Sequence, residues 1–592
     1  MLSLSGAVYF DRDIEETVPV FVYVFMLLLY VAGICGIIAH AVEFLLLYLL
    51  TGTVVFVILS LGKYKRSFLA MAGKKLKSPG IWLFFGMCIV ISILTHHMRV
   101  TNWDDLHYWA IFSKDMYVIN GVPTGGMNSS LYRDYFPIVQ YLYFPVFKIF
   151  GRYRESYMFS VNHILLLISV LPFFRKYEDE SATQYICMAV TGIVMPAIVS
   201  FQMFHCLGVD IIMTFLFGEA LVFTYDKRRD LFYYIRFLSV TLFLTMSKTT
   251  GLIFAAIAIA VFTVENFRPK LRGILPAFLI AVCNLAFYIS WKVFCRIRGN
   301  TSYLSNNLNS NITGGTGISL PDYTGSTIKN FLGALAVKHL NDSPFGLTAL
   351  GMALVGLVVF FICLKICSDK KRRILEAAVL ACGMAGYLAV MIYIYLFVFE
   401  EWEADSLSSF DRYIITFFGG ILYAALFFAF TAVKNKDALK VTVTILLLMT
   451  INYPYALRTM VPSEFTKAYA DAYGMVDDFD EEFKGVFIPE MNYGDAILFV
   501  DCTDDMQRTK TIPYCAVPYV SRVMSFYDRE TIDASDVLEE AGGSGAKYVV
   551  FLKSDGRKGI IGNEEDLFEG GGRIKEDVLY LYDKEKDVLV KR

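Results

Sequence analysis

The chain has 592 residues, 56% of them hydrophobic and 16% aromatic, with a mean hydropathy of +0.51. A soluble domain does not carry that much apolar side chain, and runs of about 18 or more apolar residues, each able to cross a bilayer, recur from Thr17 to Ala456. The net charge of −2 comes without a basic stripe interleaved with aromatics, so nothing points to nucleic acid.

In chain order, the first apolar run follows DRDIEE, with no basic segment before it and no small-residue cleavage site. It reads as a retained span, not a cleaved signal. Basic clusters then fall at Lys63–Lys77, Asp226–Asp230 (DKRRD), Arg268–Arg272, Lys365–Arg373 and Lys434–Lys440. Lys and Arg beside span ends favour the cytoplasm, and placing all five there gives about thirteen spans, from Thr17–Ile38 to Val441–Tyr455. The N-terminus is then cytoplasmic and the C-terminal end external. The expected fold is a polytopic α-helical membrane protein.

The segment Phe136–Gly151 (FPIVQYLYFPVFKIFG) is apolar, but it is short for a span and contains Pro137, Pro145 and Lys148. Counting it as a span would move DKRRD outside. It is therefore expected to be an amphipathic or re-entrant helix on the outer surface, within an outer loop over 98–155. Two more outer features share that face: the Asn-, Gly-, Ser- and Thr-rich loop Cys295–Phe345 and the acidic stretch Glu400–Arg412.

Beyond 456 the composition turns polar. AILFVD (Ala496–Asp501), KYVVFLK (Lys547–Lys553) and VLYLYD (Val578–Asp583) read as strands, and SDVLEEA (Ser535–Ala541) opens with an N-cap pattern. Two domains follow: a transmembrane module over 1–456 and a small α/β domain, extracytoplasmic by the same topology, over 457–592. No glycine-rich phosphate-binding motif marks the second.

The chemistry concentrates in TNWDDLHYW, where Asp104 and Asp105 follow an apolar run directly. A carboxylate desolvated at a membrane edge has a raised pKa and suits general-base work. An adjacent acid pair also suits a divalent cation, and both chemistries are open for it. Arg133, Lys248 and Arg412 fall on the same expected face and suit a phosphate leaving group. Each has a plainer role: helix capping for the acid pair and for Asp210, snorkelling for Lys248. His107 and Tyr135, on the same loop, are further substrate-contact candidates.

The order of these features resembles the GT-C superfamily of membrane glycosyltransferases, in pattern most like bacterial enzymes of the protein O-mannosyltransferase and aminoarabinose transferase type (glycosyltransferase family 39-like). The family's loop runs from an acid pair through an aromatic helix and a glycine to a proline-rich stretch, an apolar helix and Gly–Arg. Here DDLHYWAIFSKDMYVINGVP and then YRDYFPIVQYLYFPVFKIFGRYRES keep that order. The resemblance implies Asp104 as the catalytic carboxylate, with Asp105 where the family has Glu. It implies Arg133, Lys248 and Arg412 on the donor phosphate and Asp210 as the acid of a later span. The family's double proline is a single Pro137 here.

The activity implied is transfer of a hexose from a polyprenyl-phosphate donor to an extracytoplasmic glycan, lipid or protein at the plasma membrane, with inversion by direct displacement. No cofactor is required beyond a divalent cation, if the pair binds one. Two other classes stay open beside a non-enzymatic membrane scaffold displaying the tail domain, which predicts that replacing Asp104 does nothing. One is a polysaccharide ligase or polymerase of the other membrane glycosyltransferase architecture, led by arginines such as Arg412. The other is a transporter or flippase for a lipid-linked sugar, which predicts charges deep in the spans.

Overall fold

The computed structural model describes the whole chain except 62–64, 178–179, 201–203, 268–273, 301–319, 367–368, 400, 433–435, 487–490, 492–494, 502–505, 518, 526–531, 553–560 and 592. Residues 301–319 of the loop Cys295–Phe345, and Glu400, therefore lie outside the described residues; the rest of that loop carries the helix Thr324–Val337. The chain divides into two compact units. The first comprises Met1–Met98, Tyr135–Phe294 and Tyr303–Glu464; the second comprises Arg99–Asp134, Cys295–Ser302 and Phe465–Arg592. This partition takes the first part of the loop over 98–155, with Asp104 and Arg133, into the unit of the tail.

The first unit is helical. Among its described residues 6 helices are long and apolar enough to cross a membrane, or 8 if each of two bent pairs counts as one span. This is a multi-pass membrane protein. The helix Ile38–Leu61 leaves Leu46, Leu47, Leu50 and Ile58 exposed, which is what a lipid-facing helix does in the absence of lipid. The helix Asp210–Thr224 is the opposite case: all 15 of its residues are buried. A helix apolar all round belongs in the centre of a bundle. It packs against Phe410–Ala432, Leu231–Ser247, Gly251–Asn266 and Glu155–Ser169. Small residues permit the closest of these contacts. A Cβ on Gly218 would come within 2.7 Å of the Tyr423 ring, and one on Gly420 within 2.5 Å of Phe217.

The segment expected on the outer surface is a helix, Ile138–Phe150, that ends on Gly151 in the left-handed conformation. Its apolar face is covered by protein. Ile138, Tyr141, Phe144 and Phe147 are all fully buried, and the helix packs against Ile14–Ile34, Ala41–Leu61 and Glu155–Ser169. Only its last turn, with Ile149 and Phe150, is exposed.

Among the described residues of the second unit the tail has seven strands: β1 (Ala496–Asp501), β2 (Val520–Ser525), β3 (Ile532–Asp533), β4 (Tyr548–Leu552), β5 (Ile561–Gly562), β6 (Leu579–Asp583) and β7 (Val588–Lys591). The main sheet runs β2-β1-β4-β6-β7. Its β2, β1 and β4 are parallel, while β6 and β7 are antiparallel additions. The β1 and β4 strands are continuous apolar runs, as strands covered on both faces must be. Leu498, Val500, Val549 and Phe551 form a core with Val537 and Ala541 of the helix Ala534–Ser544. That helix is capped by Asp533, with Asp536 closing a capping box, not by the expected Ser535, and it stops at Gly545 with φ +68.

Candidate functional site

In the second unit Asp104 and Asp105 open a π-helical turn over Asp105–Trp109. Such turns are rare and recur at functional sites. The turn separates the two acids. Asp105 is 0% exposed, whereas Asp104 is half-buried and its N–H donates to Asn102 Oδ1 at 3.0 Å. A solvent-reachable carboxylate is therefore Asp104, with Asp105 built into the turn. His107 is buried; its Nδ1 bonds the Trp103 carbonyl at 2.8 Å and its ring stacks on Trp103 at 4.3 Å. A carbonyl only accepts, so Nδ1 carries the proton. That clasp is within the turn itself.

Arg133 is tied to the same turn through the chain before it. Ser130 Oγ and Leu131 N both donate to the His107 carbonyl, at 3.0 and 3.1 Å, and Arg133 Nε donates to the Ser130 carbonyl at 3.3 Å. Burial, then the neighbouring Arg522 guanidinium on β2, pulls the Arg133 pKa down, and Asp115 pushes it back up.

Asp115 is the second residue that sequence reasoning missed. It is 2% exposed on the helix Ala110–Ile119 and accepts from Ser129 N and Ser129 Oγ at 2.9 and 3.1 Å. Burial raises its pKa to about 7, against the pull of those two hydrogen bonds, Lys114 and Arg133. The tail helix Met506–Ala516 packs on the π turn, and Lys114 Nζ donates to the Tyr514 carbonyl at 2.8 Å. Nothing local in the sequence signals the contacts with the tail helix, which lie about four hundred residues apart in the chain.

In the first unit three residues singled out from sequence meet at one carboxylate. Asp210 is the first residue of its helix, Lys248 follows the helix Leu231–Ser247, and Arg412 lies in the first turn of Phe410–Ala432. Lys248 Nζ is 2.9 Å from Asp210 Oδ1, and Arg412 Nε is 3.7 Å from Asp210 Oδ2. Lys248 also lies 5.0 Å from the centre of the Tyr413 ring. Asp210 and Lys248 are 5% and 6% exposed, so two cations share one acid in a largely dry setting. Tyr135 belongs to this unit and is half-buried.

A further carboxyl lies deeper. Glu219 is 0% exposed, nine residues or about 14 Å along the helix from Asp210. Tyr23 Oη donates to its Oε2 at 2.7 Å, and its Oε1 has no hydrogen bond among the described residues. The spans are less clean of charge than hydropathy suggests. Among the described residues no three His, Cys, Asp or Glu side chains converge to hold a metal ion, so the acid pair gains no third ligand of that kind.

No protein-family model matches this chain, and no curated protein is significantly similar to it.

Proposed function

We propose that this chain is a plasma-membrane glycosyltransferase moving a hexose from a polyprenyl-phosphate donor to an extracytoplasmic glycan, lipid or protein. About thirteen helices cross the membrane, the N-terminus is cytoplasmic and the tail domain is outside. The observation that carries this reading is the meeting of Lys248 and Arg412 on Asp210. Two cations on one acid leave a net positive charge at a helix N-terminus, which suits a phosphate leaving group. Asp104, the more accessible of the acid pair, takes the proton of the acceptor hydroxyl. The acceptor oxygen attacks the anomeric carbon, the carbon–oxygen bond to phosphate breaks, and the polyprenyl phosphate leaves with the electron pair. Reconstituted protein given a panel of radiolabelled polyprenyl-phosphate hexoses is expected to release or transfer label from one of them. Folded protein that binds a donor and never turns it over would remove this reading.

One observation favours a second reading. An ionisable residue inside a span is a mark of transport pathways, and Glu219 is one. A lipid-linked-sugar flippase predicts movement of labelled donor between leaflets of proteoliposomes, without loss of the sugar.

A further inference from the structure

The helix Asp210–Thr224 has two ends, and the second is also charged. It runs into DKRRD, the basic cluster that the positive-inside rule puts in the cytoplasm. There a cavity of about 530 Å³ opens in the helical unit. Its wall carries five cations, Arg12, Arg175, Lys227, Arg228 and Arg236, against three acids, Asp11, Glu16 and Asp226.

The acids are shared. Asp226 lies 2.6 Å from Arg12 and 2.7 Å from Arg236; Glu16 lies 2.7 Å from Arg236 and 3.4 Å from Arg175; Asp11 lies 3.3 Å from Arg228. Asp13 and Asp230, just outside the wall, take a second contact from Arg175 and Arg12. Lys227 has no ion pair among the described residues; the wall alone holds two more cations than acids, and Asp13 and Asp230 beside it bring the acids level with the five cations. Arg12 and Arg236 are 4% and 3% exposed, and the Nε of each has no hydrogen bond among the described residues. A buried donor without an acceptor is costly, and an incoming oxygen anion would relieve it.

The rest of the wall adds hydroxyls from Tyr177, Tyr225 and Thr431 and an apolar surface made by Pro172, Val222, Phe223, Phe427, Phe428 and Ala432. A free phosphate has no use for that surface. A basic pocket between helices, on the side facing an anionic leaflet, has the character of a lipid headgroup site. We infer that this cavity binds the phosphate of an anionic lipid of the cytoplasmic leaflet, with the arginines on the phosphate and the phenylalanines along the first carbons of its tail. It is a second phosphate site, at the other end of the helix from Asp210, and it does not depend on the proposed transfer reaction.

The test uses the full-length protein in detergent, stripped of lipid, and a fluorescent short-chain phosphatidylglycerol as probe. Saturable binding is expected. Unlabelled phosphatidylglycerol should displace the probe, while phosphatidylcholine and inorganic phosphate should not. Lys227→Ala with Arg228→Ala removes two outer cations and should weaken binding roughly tenfold or more. Ala432→Trp, which fills the cavity from its rim, should abolish it. Both variants leave the Arg12 and Arg236 pairs intact, and each is first checked for a wild-type melting profile. Unchanged binding in both variants would overturn the proposal, as would displacement by phosphatidylcholine. Displacement by inorganic phosphate at equal concentration would overturn the lipid assignment.

Discussion

Lys248 Nζ sits 2.9 Å from Asp210 Oδ1, although each residue lies at the end of a different helix. Both are nearly buried, and Arg412 approaches the other carboxylate oxygen at 3.7 Å. The acid is what lets two cations sit together in that setting. Asp210→Asn should therefore destabilise the protein by about 3–5 kcal/mol, the usual effect of breaking a buried pair from one side. Lys248→Met should partly rescue it, because the double variant leaves one cation where the single leaves two. Thermal melts in detergent of the two single variants and the double give the coupling energy. Additive losses would mean that the pair is not an energetic unit.

The buried carboxyl of Asp115 predicts a pH dependence. Its folded pKa of about 7 lies above the ordinary 3.8, so the folded state binds the proton more tightly. Its contribution is full below about pH 4 and is lost as the pH rises toward 7, by up to about 4 kcal/mol. Asp115→Asn keeps an acceptor for Ser129 and should flatten that slope. Stability of the full chain measured at several pH values between about 4 and 8 checks it.

The close contacts of the central helix predict where bulk is refused. A Cβ at Gly218 or Gly420 meets a neighbouring ring at 2.7 or 2.5 Å. Gly218→Ala and Gly420→Ala should each cost about 1–3 kcal/mol, as overpacking does. At Gly386, where nothing lies within 4 Å, the same change should be neutral or slightly stabilising. Melting temperatures of the three variants make the comparison.

Glu219 separates the two functional readings. It bonds Tyr23 in the middle of a buried helix, away from Asp210. Under the transferase reading Glu219→Gln keeps the tyrosine bond and leaves hexose transfer within about threefold of wild type, a change of less than ~1 kcal/mol. Under the flippase reading it stops leaflet exchange. Transfer and exchange assays on the same proteoliposomes decide between them.

Much of the framework was legible. A helix lies at each apolar run read as a span, because hydropathy reports burial in lipid or in a bundle alike. The three strands read from AILFVD, KYVVFLK and VLYLYD are β1, β4 and β6, since short apolar runs between turn residues admit little else. The meeting of Asp210, Lys248 and Arg412 was legible only as a shared face. What stayed hidden depends on distant partners. The π turn at Asp105 leans on a helix four hundred residues later, and Lys114 meets the Tyr514 carbonyl across the same distance in the chain. Glu219 is one acid in a long apolar run, and hydropathy averages it away. Phe136–Gly151, expected as an amphipathic or re-entrant helix, is a helix over Ile138–Phe150, and its pattern does not say whether lipid or protein covers the apolar face.

The proposed general base is Asp104, half-buried beside the fully buried Asp105. The most direct test is hexose transfer from a radiolabelled polyprenyl-phosphate donor by reconstituted wild type and Asp104→Asn. The account predicts a loss of about 10²–10⁴-fold in turnover, with donor binding and melting temperature retained. Turnover unchanged by Asp104→Asn would contradict it and move the arginine-led ligase reading, centred on Arg412, to first place.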